Sequence, residues 1–301
     1  MSNNIVVVGS LNMDLVVRTQ RHPKIGETVL GYDFQTYPGG KGANQAVSAA
    51  RLGSKVKMIG RVGSDNFGAT LLERINADGI DAEHILIDQA SPTGVAFIIV
   101  DERGQNTIVV ASGANGRLSP EDIANARSVF ESAAVLLLQL ECPLSTVEQA
   151  IKLARKTNTK IVLNPAPAQL LDTDLLQQVD YLIPNQTELI LLAGQESISA
   201  AVAVLIGMGV KSIVVTLGEA GALVVDSSGQ EHISAYEVPV VDTTAAGDAF
   251  AGAFAVALCE GRSILEAARW GNAAGALTVM HAGAQPSLPY RDEFLAFLSE
   301  N

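Results

Sequence analysis

The sequence predicts an α/β fold, a mostly parallel central sheet with helices on both faces, with a small second β-sheet added to it. Short apolar, β-branched runs recur along the chain, and segments with helical spacing and proper start signals lie between them. Two stretches break that alternation with strand pieces alone, and these predict the added sheet.

Taken in order, the buried strands are expected at Ile5–Val8, Val135–Leu140, Lys160–Leu163, Tyr181–Pro184 and Ser212–Thr216. Each is brief, apolar and closed by Gly, Pro or a polar residue, as a strand covered on both faces requires. Helical patterns run over Ala43–Leu52 and Ala249–Leu258, with a last one near Phe294–Leu298. Ser119-Pro120-Glu121-Asp122 marks a further start: a capping hydroxyl, Pro at the first helical position and acids in the first turn. Residues 13–36 hold the strand pieces Leu15–Arg18, Thr28–Leu30 and Asp33–Tyr37 with no helix between them. Residues 94–111 form a hairpin pattern, Val95–Val100 and Thr107–Ala111, around Asp101-Glu102-Arg103-Gly104. Neither stretch buries a core alone. The expected division is a core of 1–12, 37–93 and 112–301, and a small sheet of 13–36 and 94–111. Such a sheet suits a lid or a dimer surface, and a pair of ordinary edge hairpins would give the same pattern.

Composition narrows the function class. Of 301 residues, 48% are hydrophobic and 17% charged, a balance that excludes disorder for the bulk of the chain. A net charge of −12 speaks against nucleic acid, although backbone N–H groups can still bind a small phosphate. Two distant cysteines, Cys142 and Cys259, exclude a disulfide framework or a Cys-rich metal site. The N-terminus lacks the basic and apolar regions of a signal peptide. The longest apolar stretch, Ala249–Cys259, is broken by Gly252 and falls short of the ~20 residues of a membrane span. A soluble cytoplasmic protein without a membrane partner is expected. Gly40-Lys41 is not part of a Walker A loop, and Gly40–Gln45 has Gln where a dinucleotide fingerprint needs its third Gly. The four histidines are isolated, and no Gly-x-Ser-x-Gly elbow exists.

Three segments carry chemistry. Val241-Asp242-Thr243-Thr244-Ala245-Ala246-Gly247-Asp248 runs directly into an apolar helix. Small residues there leave backbone N–H groups open at the positive end of the helix dipole, an anion hole without a lysine. Asp248 is then either a first-turn stabiliser or a general base, and the pattern alone leaves both open. Pro38-Gly39-Gly40-Lys41-Gly42-Ala43-Asn44-Gln45 lets backbone approach a ligand closely and offers donors from Lys41 and Asn44. In Gly9-Ser10-Leu11-Asn12-Met13-Asp14, the alternation of extended chain puts Asn12 and Asp14 on one side, as neighbouring hydroxyls of a polyol need. Glu141, Asn185 with Glu188, and Thr216-Leu217-Gly218-Glu219-Ala220-Gly221 each follow a predicted strand, where open α/β sheets place ligands. Carboxylate and amide oxygens such as those of Asn185 and Glu188 suit Mg²⁺.

In this order the segments resemble the ribokinase family of sugar and nucleoside kinases, the PfkB-type carbohydrate kinases, over essentially the whole chain. The Gly39–Gln45 and Asp242–Asp248 segments are the family's two signature regions. Gly9–Asp14, Gly39–Ala46, Gln139-Leu140-Glu141, Asn164-Pro165-Ala166-Pro167-Ala168 and Gly283-Ala284-Gln285-Pro286-Ser287 are most similar to its ribose-phosphorylating members. The resemblance implies ATP-dependent phosphorylation of D-ribose at the 5-hydroxyl. Asn12, Asp14, Gly40, Lys41, Asn44 and Glu141 would hold the sugar, Asp248 would act as base, and Ala245, Ala246 and Gly247 would offer N–H groups. It places Mg²⁺ and phosphates at Asn185 and Glu188, and the nucleotide against Thr216, Gly218, Gly221, Gly247 and Asn272. An activating K⁺ falls to Asp242, Thr244, Gly283 and Ser287. It makes the small sheet a lid that also clasps a homodimer. Kinases for deoxyribose, fructose or a nucleoside are the alternatives, and a non-catalytic sugar-binding protein is a third. The chain departs from the common Gly-Ala-Gly-Asp of the family at Ala245, which calls for negative φ there or some strain.

Overall fold

The computed structural model describes residues 4–301; the first three residues of segment 1–12 lie outside the described residues. Four side chains show how the large sheet is buried. Ile5 and Val7 face one apolar layer with helices Lys41–Arg51, Ala246–Cys259 and Ile264–Val279. Val6 and Val8 face another with helices Leu144–Lys156, Gln186–Ala193 and Ile198–Gly207. Alternation along one strand therefore feeds two cores, which is why the run is apolar without interruption.

Across the large sheet the order is Gly229–Ile233, Ala222–Asp226, Ile213–Thr216, Tyr181–Leu182, Lys160–Leu163, Val135–Leu138, Asn4–Val8, Lys55–Gly63 and Asp81–Asp88. All neighbours are parallel except at one edge, where Ala222–Asp226 runs antiparallel to both Ile213–Thr216 and Gly229–Ile233. The chain builds outward from Asn4–Val8 to one side, then resumes at Val135–Leu138 and builds to the other. The order reverses between those two strands, and the crevice beyond their carboxyl ends is where such sheets bind ligands. Gly9-Ser10 and Gln139-Leu140-Glu141 open onto it.

The small sheet has the order Gly31–Gly39, Asn12–Thr19, Gly94–Val100, Asn106–Ala111. Only Gly9–Leu11 separate its strand Asn12–Thr19 from the large sheet's Asn4–Val8. Tyr32, Phe34, Phe97, Ile108 and Val109 on it are all more than half exposed.

The predicted strands at 5–8 and 160–163 match, and Ser119 caps helix Pro120–Asn125 through a reciprocal pair with Asp122. Thr28–Leu30 is not a strand: pairing with Asn12–Thr19 begins at Gly31, beyond a register shift at Arg18/Thr19, and Leu30 stands in solvent. The strand expected over 135–140 stops at Leu138, because the Leu140 N–H turns to Ala166 O. The one at 181–184 is two residues long, since Pro184 has no N–H to extend the ladder. Both cysteines are free and buried, and burial pushes each thiol up to about 12. Among the described residues no single helix is long and apolar enough to cross a membrane. Arg51 ties helix Lys41–Arg51 to the 285–290 segment, donating to Gln285 O at 2.7 Å and Leu288 O at 3.0 Å while paired with Asp78.

Candidate active site

The Gly-rich turn works by close approach. Gly40 has φ +89°, and a Cβ on it would sit 2.6 Å from the Asn12 nitrogen; one on Gly42 would sit 2.5 Å from the Ser10 nitrogen. These contacts draw the start of helix Lys41–Arg51 onto the end of the first strand. Glu141 closes the third side. Its Oε2 accepts from Ser10 Oγ at 2.5 Å, the Lys41 N–H at 3.1 Å and Asn12 Nδ2 at 3.3 Å. Asp14 is buried beside them. Burial, then the charges of Glu141 and Asp248, push its carboxyl up to about 7, against the opposing pull of Lys41. Burial works against the Lys41 ammonium, but Asp248, Glu141, Glu188 and Asp14 outweigh it and hold its pKa above the usual value. Asn12, Asp14, Gly40, Lys41, Asn44, Glu141 and Asp248 thus form one connected group.

Asp248 lies in the first turn of helix Ala246–Cys259 and is buried. Asn44 Nδ2 donates to its Oδ2 at 2.9 Å and Gln45 Nε2 to its Oδ1 at 3.0 Å. Asn44 Oδ1 is buried and has no hydrogen-bond partner among the described residues. Of the three predicted N–H donors, Ala246 is spent: its N–H turns back to Thr243 O at 3.3 Å. The N–H groups of Ala245 and Gly247, and of Asp248 itself, have no hydrogen-bond partner among the described residues. The negative φ considered for Ala245 is not adopted. Its φ is +61° in the left-handed region, so the position carries strain of about 1–2 kcal/mol from its Cβ. Ala245→Gly removes that strain at an unfolded-state cost of about 0.5–1 kcal/mol. The expected result is a thermal midpoint equal to or slightly above that of the parent, where Ala→Gly elsewhere in a helix lowers it. A drop of several degrees would show that the Cβ is needed for packing.

A cavity of about 660 Å³ opens on the same helix start, lined by Thr216, Gly218, Gly221, Gly247, Phe250 and Asn272 among others. All five predicted nucleotide positions besides Asn185 line it. Asn185 instead bridges to Thr216 just outside. The Asn272 side chain has its Nδ2 committed, 3.1 Å from both Ile233 O and Ser234 O, so it braces the cavity wall. Residues 195–200 are absent from the lining. A further hollow of about 870 Å³ between Glu231–Tyr236 and Arg262–Trp270 holds none of the predicted residues.

Asn185 and Glu188 form a reciprocal cap at the start of helix Gln186–Ala193, each bond 2.8 Å. Burial raises the Glu188 pKa, with Asp248 adding to it and the Asn185 N–H and Lys41 opposing. Glu188 therefore faces the same centre as Asp248. Asp242 accepts from Thr244 N–H at 2.9 Å, Thr244 Oγ1 at 2.6 Å and Gly283 N–H at 2.9 Å. Burial works to raise its pKa, and these donors overcome it to hold the carboxyl below the usual range. Ser287, buried nearby in sequence, gives its hydroxyl proton to Ala284 O at 2.7 Å.

Sequence reasoning missed Asn115. It clamps Leu11 through its N–H and carbonyl at 2.9 and 3.0 Å, and its Nδ2 holds Asn12 Oδ1 at 2.8 Å. No spacing signal marks a partner more than a hundred positions away.

Together these elements supply a buried acceptor, free N–H groups beside it and a cavity of nucleotide size, the parts needed to deprotonate a hydroxyl and steady an anion. Residues 2–291 match the model of the pfkB family carbohydrate kinases. A ribokinase of Haemophilus influenzae is 43% identical, with 99% of each chain covered, and a deoxyribokinase of Salmonella typhi is 38% identical at the same coverage. An Arabidopsis thaliana ribokinase, solved with ribose and ATP, superposes with a TM-score of 0.92 at 36% identity over 99% of each chain. With the family matched along nearly its whole length, the chain belongs to the pfkB family of carbohydrate kinases.

Proposed function

We propose that this chain phosphorylates D-ribose at the 5-hydroxyl, taking the γ-phosphoryl group of ATP and releasing ribose 5-phosphate and ADP. The observation that carries the reading is that two sites end on one helix start. The polar cluster of Asn12, Asp14, Gly40, Lys41, Asn44 and Glu141 closes on Asp248, and the 660 Å³ cavity closes on Gly247, its neighbour. Asp248 takes the proton of the 5-hydroxyl as that oxygen bonds to the γ-phosphorus. The bond from phosphorus to the bridging β-oxygen breaks, and ADP leaves with that electron pair. The free N–H groups of Ala245, Gly247 and Asp248 receive the charge that develops on the transferring oxygens.

Glu188 and Asn185 would hold Mg²⁺ through water and phosphate. Among the described residues there is no cluster of three metal-ligating side chains, and the Glu188 carboxylate has one oxygen left after capping, which suits an ion shared with the nucleotide. Bound Mg²⁺ neutralises phosphate charge. Asp242, the Thr244 carbonyl, Gly283 and Ser287 offer oxygen donors, and among the described residues Asp242 is held by Thr244 and Gly283 rather than by an ion pair, which suits K⁺; when bound it would stiffen the loop that leads into the N–H donors. The small sheet would act as the lid, keeping out water that competes for the phosphoryl group, and its exposed Tyr32, Phe34, Phe97, Ile108 and Val109 would clasp a second copy. ATP as donor and two free thiols suit the cytoplasm.

Deoxyribose is the second reading, since the Salmonella relative is nearly as similar as the ribokinases. A site built around a hydroxyl rejects an analogue lacking it by large factors. ADP release from MgATP with ribose, deoxyribose, fructose, adenosine and no sugar, each with and without K⁺, separates these. Ribose-dependent turnover that rises with K⁺ is expected. Preference for deoxyribose would overturn the substrate, and no turnover with any acceptor would overturn the reaction.

A further inference from the structure

Asp248 does not stand on Asn44 alone. Gln45, fully buried, sends its Nε2 to Asp248 Oδ1 at 3.0 Å and to Asn164 Oδ1 at 3.1 Å. Its own Oε1 accepts from Gln139 Nε2 at 2.5 Å, and Asn164 Nδ2 donates onward to Ile183 O at 2.8 Å. Gln139 and Asn164 are also buried and sit at the carboxyl ends of strands Val135–Leu138 and Lys160–Leu163. Gln45 belongs to the helix after the Gly-rich turn. Three amides from three parts of the chain are therefore linked, and one of them, Gln45, reaches the carboxylate at Oδ1.

The chain has a direction, and chemistry fixes it. An ionised carboxylate only accepts, so Gln45 must present its NH₂ to Asp248. Its carbonyl must then face Gln139, which must donate, and Asn164 must accept from Gln45 and so donate to Ile183 O. Reversing Gln45 would set its carbonyl against Asp248 Oδ1 and against Asn164 Oδ1, two acceptor–acceptor contacts in a dry site. The amides thus hold Oδ1 in one place and leave the remaining lone pair of Oδ2, which also receives Asn44, toward the sugar cluster.

Resting on the assignment of Asp248 as the base, we propose that Gln45 is a positioning residue for the phosphoryl transfer. Braced by Gln139 and Asn164, it fixes the rotamer of the Asp248 carboxylate and so the direction in which Oδ2 faces the sugar cluster. It touches neither sugar nor nucleotide.

The test is a pair of variants in the full chain, Gln45→Leu and the isosteric Gln45→Glu, read by steady-state kinetics across pH with ribose and MgATP. Gln45→Leu removes a donor that favours the charged form, so the acidic limb of kcat/KM moves up by about one pH unit. With the carboxylate free to rotate, kcat falls about 10–100-fold while KM for ribose changes by less than about threefold. Gln45→Glu keeps the shape but sets a second carboxyl against Asp248. The two then share a proton, and the acidic limb moves further up, with kcat partly recovering at high pH. A merely structural role would lower the yield of folded protein or the thermal midpoint and leave both the pH limb and the kcat of the folded fraction in place; that result overturns the proposal. If Gln45→Leu does not fold, the pH limb of Gln45→Glu decides alone. Asp248→Asn is run beside them. Full turnover there overturns the base assignment, whereas an inactive Asp248→Asn with unshifted Gln45 variants overturns only the role of Gln45.

Discussion

Asp248→Asn is expected to fold, to bind ribose and nucleotide at close to parental affinity, and to turn over about 10²–10⁴-fold more slowly, the range lost with a general base. Folding is expected because of its neighbours. The parental carboxylate accepts one amide N–H on each oxygen, from Gln45 and from Asn44. An asparagine there has one oxygen and one NH₂. Gln45 cannot reverse without breaking its bonds to Gln139 and Asn164, so the new oxygen takes the Gln45 side. Asn44 can reverse, because its Oδ1 has no partner and becomes the acceptor for the new NH₂. The exchange costs no hydrogen bond, so calorimetric titration with ribose and single-turnover product formation read binding and chemistry separately. Near-parental kcat would remove Asp248 as base, and loss of sugar binding would make its main role one of contact.

Asp14→Asn is expected to separate stability from function with opposite signs. In the folded chain the Asp14 carboxyl is pushed up from its ordinary 3.8 to about 7, chiefly by burial, then by Glu141 and Asp248. Between those two pH values the folded state holds a proton that the unfolded state has released. Stability therefore falls as pH rises through roughly 4 to 7, and above 7 the full cost of an ionised, crowded carboxylate is in place. That cost is on the order of 2–4 kcal/mol, and the amide does not incur it. Thermal unfolding at pH 8 should show the variant several degrees more stable than the parent, with the two converging at pH 4. Sugar affinity should fall about 10–100-fold, the worth of a charge-assisted hydrogen bond. Equal midpoints at pH 8 would mean that Asp14 ionises without penalty.

Much of this site was legible because chain neighbours carry it. The turn Gly39–Gln45, the alternation of Asn12 and Asp14, and the helix start at Asp248 are all local, and backbone sterics and capping chemistry make local patterns readable. What could not be read was orientation and distant pairing. Asn272 lines the cavity, but nothing in the sequence shows that its NH₂ is committed to Ile233 and Ser234. The N–H of Ala246 counted as an anion donor until a turn to Thr243 O took it. Gln45 drew notice only as the residue standing where a third glycine would belong, and its partners Gln139 and Asn164 lie about a hundred positions on. In the fold, the strand at Thr107–Ala111 was readable as one arm of a hairpin pattern, whereas Thr28–Leu30 had equal strand character and no strand to pair with.

Asn12 and Asp14 are the first and third residues of a strand that belongs to the small sheet, whereas Glu141 follows a strand of the large sheet and Asp248 begins a helix packed on it. A sugar gripped by both sets is a crossbar between the two sheets. Whatever energy it gives to holding them together must reappear, by thermodynamic reciprocity, as energy that any grip on the small sheet gives to holding the sugar. Occupancy of the outer aromatic face and occupancy of the sugar site would then be two readings of one equilibrium, and a change at Phe34 or Phe97 would register in sugar affinity without either side chain meeting a hydroxyl.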